Sequence, residues 1–282
     1  MTGTLKLPDP TWFVGCGNMG GAILDGWRMG GLDLSPVTVI RPSGKPVEGA
    51  RVVTSVAEAG PPPVLVVLAF KPQKLDEIAP ALHPHLSRQT VLVSLLAGVE
   101  TDSLRQRFPG IEAIVRATPN LPVAVRRGVT GLYTAAADGR IKEGINNLFT
   151  ALGYAMWMTD EQKLGALGAV AGAGPAYVAR FVAALAKAGV KRGLTHEIAS
   201  TLALETVLGT AWMASTDRES MESVARRVAS PNGTTEAGLA VLDHDEVLDQ
   251  LVALTIDAAA RRGAELAQEA KAPSLAESER LH

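Results

Sequence analysis

Trp12-Phe13-Val14-Gly15-Cys16-Gly17-Asn18-Met19-Gly20 is a short apolar run followed at once by a glycine hexapeptide of the form GxGxxG. Beyond it, Ile23, Leu24 and Trp27 recur at one-face helical spacing, so the stretch reads as strand, tight turn and helix. That order is what a dinucleotide pyrophosphate requires. Gly15 lets the chain turn, Gly17 lets backbone approach the phosphates, and the helix start presents N–H groups and the positive end of its dipole. Gly15, Cys16, Gly17, Asn18 and Met19 are therefore candidate cofactor-binding residues, with Cys16 filling a variable slot.

Outward from this turn, apolar runs alternate with amphipathic stretches. Val37-Thr38-Val39-Ile40, Val64-Leu65-Val66-Val67-Leu68, Val91-Leu92-Val93 and Ala113-Ile114-Val115 read as buried strands, with a last short one around Ala155 to Met158. Between them, Leu75, Ile78, Ala79 and Leu82 mark one helix, and Ile141, Ile145, Leu148 and Leu152 mark another. Thr101 and Asp102 predict an N-terminal cap for a helix running to Phe108. From Asp160 onward the strand signal disappears. Pro175 sits in the first turn of a helix carrying Val178, Phe181, Val182 and Leu185, and Thr195 caps a run through Ile198, Leu202 and Leu208. Glu246 to Lys271 reads as one long helix with Leu248, Leu251, Val252, Thr255 and Ala259 inward.

The expected fold class is α/β: an N-terminal Rossmann-type parallel-sheet domain followed by an all-helical dimerisation domain. The expected divisions are a flexible segment 1–10, a nucleotide-binding domain 11–159, a helical domain 160–272 and a flexible tail 273–282. The helical half is rich in Ala and Gly and too small to bury every apolar face by itself, which points to a second copy of the chain.

Composition narrows the function classes. The chain has 282 residues, 27 basic against 29 acidic side chains and 47% hydrophobic residues, which excludes a disordered chain and lacks the basic excess of a nucleic-acid binder. A single Cys cannot form an intrachain disulfide. The start of the sequence lacks the charged-then-apolar order of a secretory signal, and the uncharged stretches, from Gly144 to Thr159 and from Leu164 to Ala179, read as packing in a soluble core. A cytoplasmic protein with no membrane partner is expected. His83-Pro84-His85 has metal-like spacing but no third ligand nearby in sequence, so it reads as loop surface and no metal is expected.

The residue closing the second strand selects the dinucleotide. A carboxylate there would bind the ribose hydroxyls of NAD(H) and repel a 2′-phosphate. Here the strand ends in Ile40-Arg41-Pro42-Ser43. Arg41 can pair with the phosphate and Ser43 can donate to it, which favours NADP(H) over NAD(H).

Several segments carry a more specific resemblance. They are Gly15-Cys16-Gly17-Asn18-Met19, Ala69-Phe70-Lys71-Pro72-Gln73, Ser94-Leu95-Leu96-Ala97-Gly98-Val99, Arg116-Ala117-Thr118-Pro119-Asn120, Gly172-Ala173-Gly174-Pro175-Ala176-Tyr177, and Ser230-Pro231-Asn232-Gly233-Thr234-Thr235 followed by Ala237-Gly238-Leu239. In this order the chain resembles the pyrroline-5-carboxylate reductases, which perform the last step of proline synthesis. The resemblance implies hydride transfer from NAD(P)H to the C=N carbon of 1-pyrroline-5-carboxylate, giving L-proline. It also implies a homodimer interlocked through the C-terminal helices, with higher assembly open to it.

By that resemblance Ala69, Phe70, Lys71, Pro72, Ala97 and Gly98 line the cofactor, with Lys71 contributing mainly backbone. The same segments follow strands at the end where open α/β sheets hold ligands. Ser230, Asn232, Gly233, Thr234 and Thr235 are the candidate substrate-binding set: hydroxyls and glycine-exposed N–H groups immediately before a helix suit a carboxylate. Thr235, placed near the ring nitrogen by the resemblance, and Glu161, an acid that would favour the iminium, are the catalytic candidates. Ala171 and Ala173 stand where the family usually carries serines, Asn232 replaces a common Gly, Leu121 a Thr, and Val56 an Asn. These departures leave two other readings open: a reductase of another small imine or keto acid, and a non-catalytic NADP-binding paralogue.

Overall fold

The computed structural model describes residues 5–271. Its sheet is seeded by β1 (Thr11–Val14), buried at every position. This run shows no polar alternation because helices cover both faces of the sheet. The strands that follow are β2 (Val37–Ile40), β3 (Arg51–Val53), β4 (Leu65–Leu68), β5 (Val91–Ser94), β6 (Ala113–Pro119), β7 (Gly128–Tyr133) and β8 (Gly153–Trp157). They form a single sheet in the order β3-β2-β1-β4-β5-β6-β7-β8. All neighbours pair in parallel except β6 and β7, which are antiparallel. The order reverses direction at β1 and β4, and this switch point is where an open sheet leaves a crevice at its carboxyl ends.

The helices of this unit are α1 (Asn18–Met29), α2 (Leu75–Leu82), α3 (Thr101–Arg107), α4 (Gly139–Thr150) and α5 (Lys163–Leu167). On one face of the sheet, Trp27 of α1 packs edge-on against Phe13 (ring centroids 6.0 Å apart) and Phe149 (6.4 Å), and its indole Nε1 donates to Leu148 O at 2.8 Å. On the other face, Trp12, Val66, Leu68, Leu82, Leu104 and Phe108 form a second buried cluster.

Three sequence expectations change here. β3 and β7 were absent from the sequence reading. β7 carries Gly128 and Gly131, which weaken a strand signal yet are required by packing: a Cβ on Gly131 would lie 2.6 Å from Leu167 Cδ1. Residues 5–10 are not a flexible lead-in, since Leu7 is buried and Pro8 O accepts from Thr11 Oγ1 at 2.6 Å. Contacts divide the described residues into one unit of 5–173 with 259–271 and another of 174–258, against a boundary expected near residue 160. α5 lies under β7 through Leu164 and Leu167, so the chain stays with the sheet past that point. The tail 273–282 lies outside the described residues.

The second unit is helical: α6 (Gly174–Lys191), α7 (His196–Asp217), α8 (Met221–Val228), α9 (Thr234–Asp243) and the first half of α10 (Val247–Lys271). Pro175 falls in the first turn of α6, and Thr195 Oγ1 caps α7 by accepting from Ile198 N at 3.3 Å. The apolar positions expected inward are not covered within the chain. Phe181 is 52% exposed, Leu202 52%, Leu208 57% and Leu251 61%. The helical stretch Lys163–Lys191 is long and apolar enough to cross a membrane, and little of it is buried. The reading of Leu164 to Ala179 as interior packing is therefore corrected: most of α6 is surface in the single chain.

Candidate functional site

The carboxyl ends of β1 and β4 meet at the glycine turn. Gly15 has φ +83°, donates to Ile40 O at 2.8 Å, and a Cβ there would lie 2.7 Å from Ala69 O and 2.9 Å from Phe70 Cβ. Only glycine meets both demands. The turn therefore touches the Ala69-Phe70 segment directly, and the residue after β2 lies alongside it. Gly17, the N-cap of α1, has open space where a side chain would project. No side chain caps α1 and no acid occupies its first turn, so its leading N–H groups and dipole face that space. Cys16 is half-buried, and burial pushes its thiol up; Arg41, close enough to act on it, pulls the other way. That environment suits filling rather than reactivity.

Arg41 is partly buried and Ser43 exposed at the end of β2, in a turn closed by Gly44 N donating to Arg41 O at 3.0 Å. Lys71 is exposed, Phe70 and Pro72 are partly buried, and Asn18 and Ala97 face solvent. At the end of β5, Gly98 has φ +76°, and its missing Cβ leaves room for the backbone of Ala267 in α10. An open helix start, a glycine at the point of closest approach and a cation without a carboxylate beyond β2 together fit a dinucleotide bearing an additional phosphate.

Glu161 is held elsewhere than expected. Its Oε1 accepts from Thr101 N at 2.7 Å, Thr101 Oγ1 at 2.7 Å and Arg116 Nη1 at 2.9 Å. Burial opposes its ionisation, but the Thr101 and Arg116 bonds outweigh that and hold the carboxyl below the usual range. The stabilisation is in force above the ordinary glutamate value and is lost as pH falls through the lowered one. Thr101 thus does not cap α3 with its own hydroxyl. The cap is a carboxylate brought from the chain beyond β8, and sequence spacing gave no sign of it. Asn120 does comparable work: Oδ1 accepts from Val129 N at 2.7 Å, and Nδ2 donates to Ala171 O at 3.0 Å. That bond anchors a π-helical turn, Gly168–Gly172, directly ahead of the Gly174-Pro175 helix start.

In the helical unit, Ser230 to Gly233 form a tight turn with Gly233 N donating to Ser230 O at 2.9 Å. Pro231 precedes Asn232, whose φ is +57°, the arrangement of a type II turn. Asn suits this position because it enters the left-handed region more readily than most side chains. A Cβ on Gly233 would overlap Ser230 Oγ, so the hydroxyl is pressed against the turn. Thr234 and Thr235 open α9, which has no side-chain cap at Gly233. The Asn232 N–H is already taken by Glu236 Oε2 at 2.6 Å, a residue sequence reading overlooked. What the turn leaves available is the Ser230 and Thr hydroxyls and the first N–H groups of α9. His83 and His85 sit in a short 3₁₀ turn, where His83 Nε2 lies 3.0 Å from Pro109 O. Among the described residues, no three potential ligands cluster to hold a metal.

Comparisons with known proteins find relatives along most of the chain. The family model described as pyrroline-5-carboxylate reductase dimerisation matches residues 161–266, and one described as NADP oxidoreductase, coenzyme F420-dependent, matches 12–98. A pyrroline-5-carboxylate reductase of Pseudomonas aeruginosa is 37% identical over 91% of this chain and 96% of its own length. One from Synechocystis is 37% identical over 77% and 80%. Among solved structures, the Plasmodium falciparum pyrroline carboxylate reductase with NADP bound superposes with a TM-score of 0.83 at 25% identity, covering 94% of this chain and 100% of that one. The Coxiella burnetii pyrroline-5-carboxylate reductase gives 0.83 at 30% identity over 92% and 99%.

The turn at Asn232 yields a first test. Asn232→Gly should leave the thermal midpoint near wild type. Asn232→Val, forcing a β-branched side chain into the left-handed region, should cost about 1–2 kcal/mol in chemical denaturation at fixed protein concentration. Equal stability of the two variants would show that the turn does not hold this conformation.

Proposed function

The chain belongs to the pyrroline-5-carboxylate reductase family, and from that premise we propose how its residues carry out the reduction of 1-pyrroline-5-carboxylate to L-proline. The observation that carries the proposal is the tight Ser230–Gly233 turn opening α9, whose hydroxyls and uncapped helix start suit a carboxylate. NADPH, when bound, supplies the hydride that adds to the imine carbon. The chain's own task is binding and orientation.

The glycine turn and the N-terminus of α1 hold the pyrophosphate, Arg41 and Ser43 hold the 2′-phosphate, and the Ala69-Phe70-Lys71-Pro72 and Ala97-Gly98 segments line the remainder. Ser230, Thr234 and Thr235 hold the substrate carboxylate, supported by the free N–H groups of α9. The Thr235 hydroxyl is assigned the place beside the ring nitrogen. An imine that binds protonated is already a strong hydride acceptor, so placement and exclusion of water outweigh proton transfer. Asn232 and Gly233 act by shaping the turn. Ala171 and Ala173 have no hydroxyl to contribute to the reaction.

The second unit is assigned to homodimerisation, through the uncovered faces of α6, α7 and α10, in a cytoplasmic enzyme. Phe181, Leu202, Trp212 and Leu251 are all more than half exposed in one chain, an apolar extent that isolated soluble domains do not sustain.

Following reduced-cofactor absorbance tests the reading. Thr235→Ala should raise KM for the pyrroline carboxylate about 10- to 100-fold, the loss of one charge-assisted hydrogen bond, while leaving NADPH affinity unchanged. A loss confined to NADPH affinity would misplace the turn. Arg41→Glu should lower the preference for NADPH over NADH about 100-fold by replacing a phosphate partner with a like charge; an unaltered preference would remove Arg41 from the cofactor site. In sedimentation at micromolar concentration the wild type should be dimeric and a Phe181→Asp, Leu251→Asp double variant monomeric. A monomeric wild type would overturn the association.

A further inference from the structure

The three bonds to one oxygen of Glu161 join parts of the sheet unit that are far apart in sequence. Thr101 is the first residue of α3 and follows the Ala97-Gly98 turn by a few positions. Arg116 lies on β6 opposite Ser94, the last residue of β5, from which that turn departs. Glu161 leads into α5 and the π-helical turn. The carboxylate thus fixes the far end of the turn at Thr101, while Arg116 anchors it to the strand beside the turn's origin. Its surroundings are restricted: the Arg116 side chain is 11% exposed and that of Glu161 21%. Between these anchors only a few residues remain. Gly98 packs so closely on Ala267 that a Cβ would lie 2.9 Å from its Cα.

Three donors engage Glu161 Oε1, which fixes the carboxylate to Thr101 and Arg116 within the sheet unit. We infer that Glu161, with Thr101 and Arg116, is a positioning residue that sets the Ala97-Gly98 turn against the bound dinucleotide, and that it acts on hydride transfer through the cofactor rather than on the imine. This inference rests on the proposed placement of the cofactor along that turn. A turn clamped at both ends binds without first being ordered, so releasing one end appears as weaker dinucleotide binding. Truncating Glu161 also strands the Arg116 guanidinium in a largely buried site, which adds to the displacement.

The test is fluorescence titration with NADPH, combined with steady-state kinetics on the full chain. Glu161→Ala should raise the NADPH Kd about tenfold, with KM for the pyrroline carboxylate at saturating NADPH within about twofold of wild type. Glu161→Gln, which keeps an acceptor oxygen for Thr101, should recover most of the affinity. Thr101→Val, which removes only a hydroxyl bond, should weaken NADPH in the wild-type background and add less than about twofold to Glu161→Ala, because both act through one contact. Should Glu161→Ala fail to fold, Thr101→Val and Glu161→Gln carry the test alone. Wild-type NADPH affinity in Glu161→Ala, or in Thr101→Val where that variant stands alone, overturns the inference. So does a raised imine KM with NADPH affinity intact, which would put Glu161 at the substrate. Ala97→Asp separates the premise: a carboxylate on this exposed position should repel the dinucleotide. Unchanged affinity in Ala97→Asp overturns the cofactor placement and the positioning role together. Weakened affinity there beside unaffected Glu161 and Thr101 variants overturns the positioning role alone.

Discussion

A Cβ on Gly15 would lie 2.7 Å from Ala69 O, and that close approach governs the nucleotide-binding half. It brings the turn after β1 against the turn after β4, at the place where the strand order reverses. Parallel strands send all their following turns to one edge, so those after β1, β2, β4 and β5 share that edge. Glycine is required twice over: the φ of +83° excludes most side chains, and the space beside Ala69 excludes all of them.

One electrostatic rule is applied three ways in this chain. Every helix start carries unpaired N–H groups and a positive partial charge. α1 leaves its start open behind Gly17, facing space, with no acid in its first turn. α3 has its start closed by the Glu161 carboxylate from a distant segment. α9 divides the difference: Glu236 takes the N–H of Asn232, while the helix start itself keeps no side-chain cap. The open and half-open starts are those assigned to ligand anions, and the closed one ties α3 to the chain beyond β8. An anion bound at α1 thus meets no competing carboxylate from the first turn of its own helix.

The legible parts of the sequence are those whose signals are local. The β1-turn-α1 unit, the buried runs of β2, β4, β5 and β6, the Thr195 cap and the helix start at Pro175 all follow from period and turn chemistry over a few residues. β7 was lost because Gly128 and Gly131, needed for close contact with Val123 and Leu167, dilute the apolar pattern. β3 is only Arg51–Val53, too short for periodicity. The Glu161 clasp and the Asn120 bond to Ala171 join residues brought together only by tertiary packing, and no local pattern encodes them. Glu161 was legible as a special acid but not as a cap for a helix sixty residues away.

The helical unit shows the same limit in reverse, since its sequence promises more burial than one chain delivers. The buried hydrophobic residues of residues 174–258 are Ala199, Ala203, Ala214 and Val224, small side chains that displace little water. Fixing each residue's backbone costs about 1–2 kcal/mol, while a buried large apolar side chain returns about 1.5–3 kcal/mol. With so few large side chains covered, the unit cannot hold its helices in place from internal burial alone. In the proposed dimer a second copy would supply the missing area, and the ordering of α9 and the turn assigned to the substrate anion would be tied to association. In that dimer, folding of the helical unit and assembly would be one thermodynamic event, whereas the sheet unit has two large cores of its own.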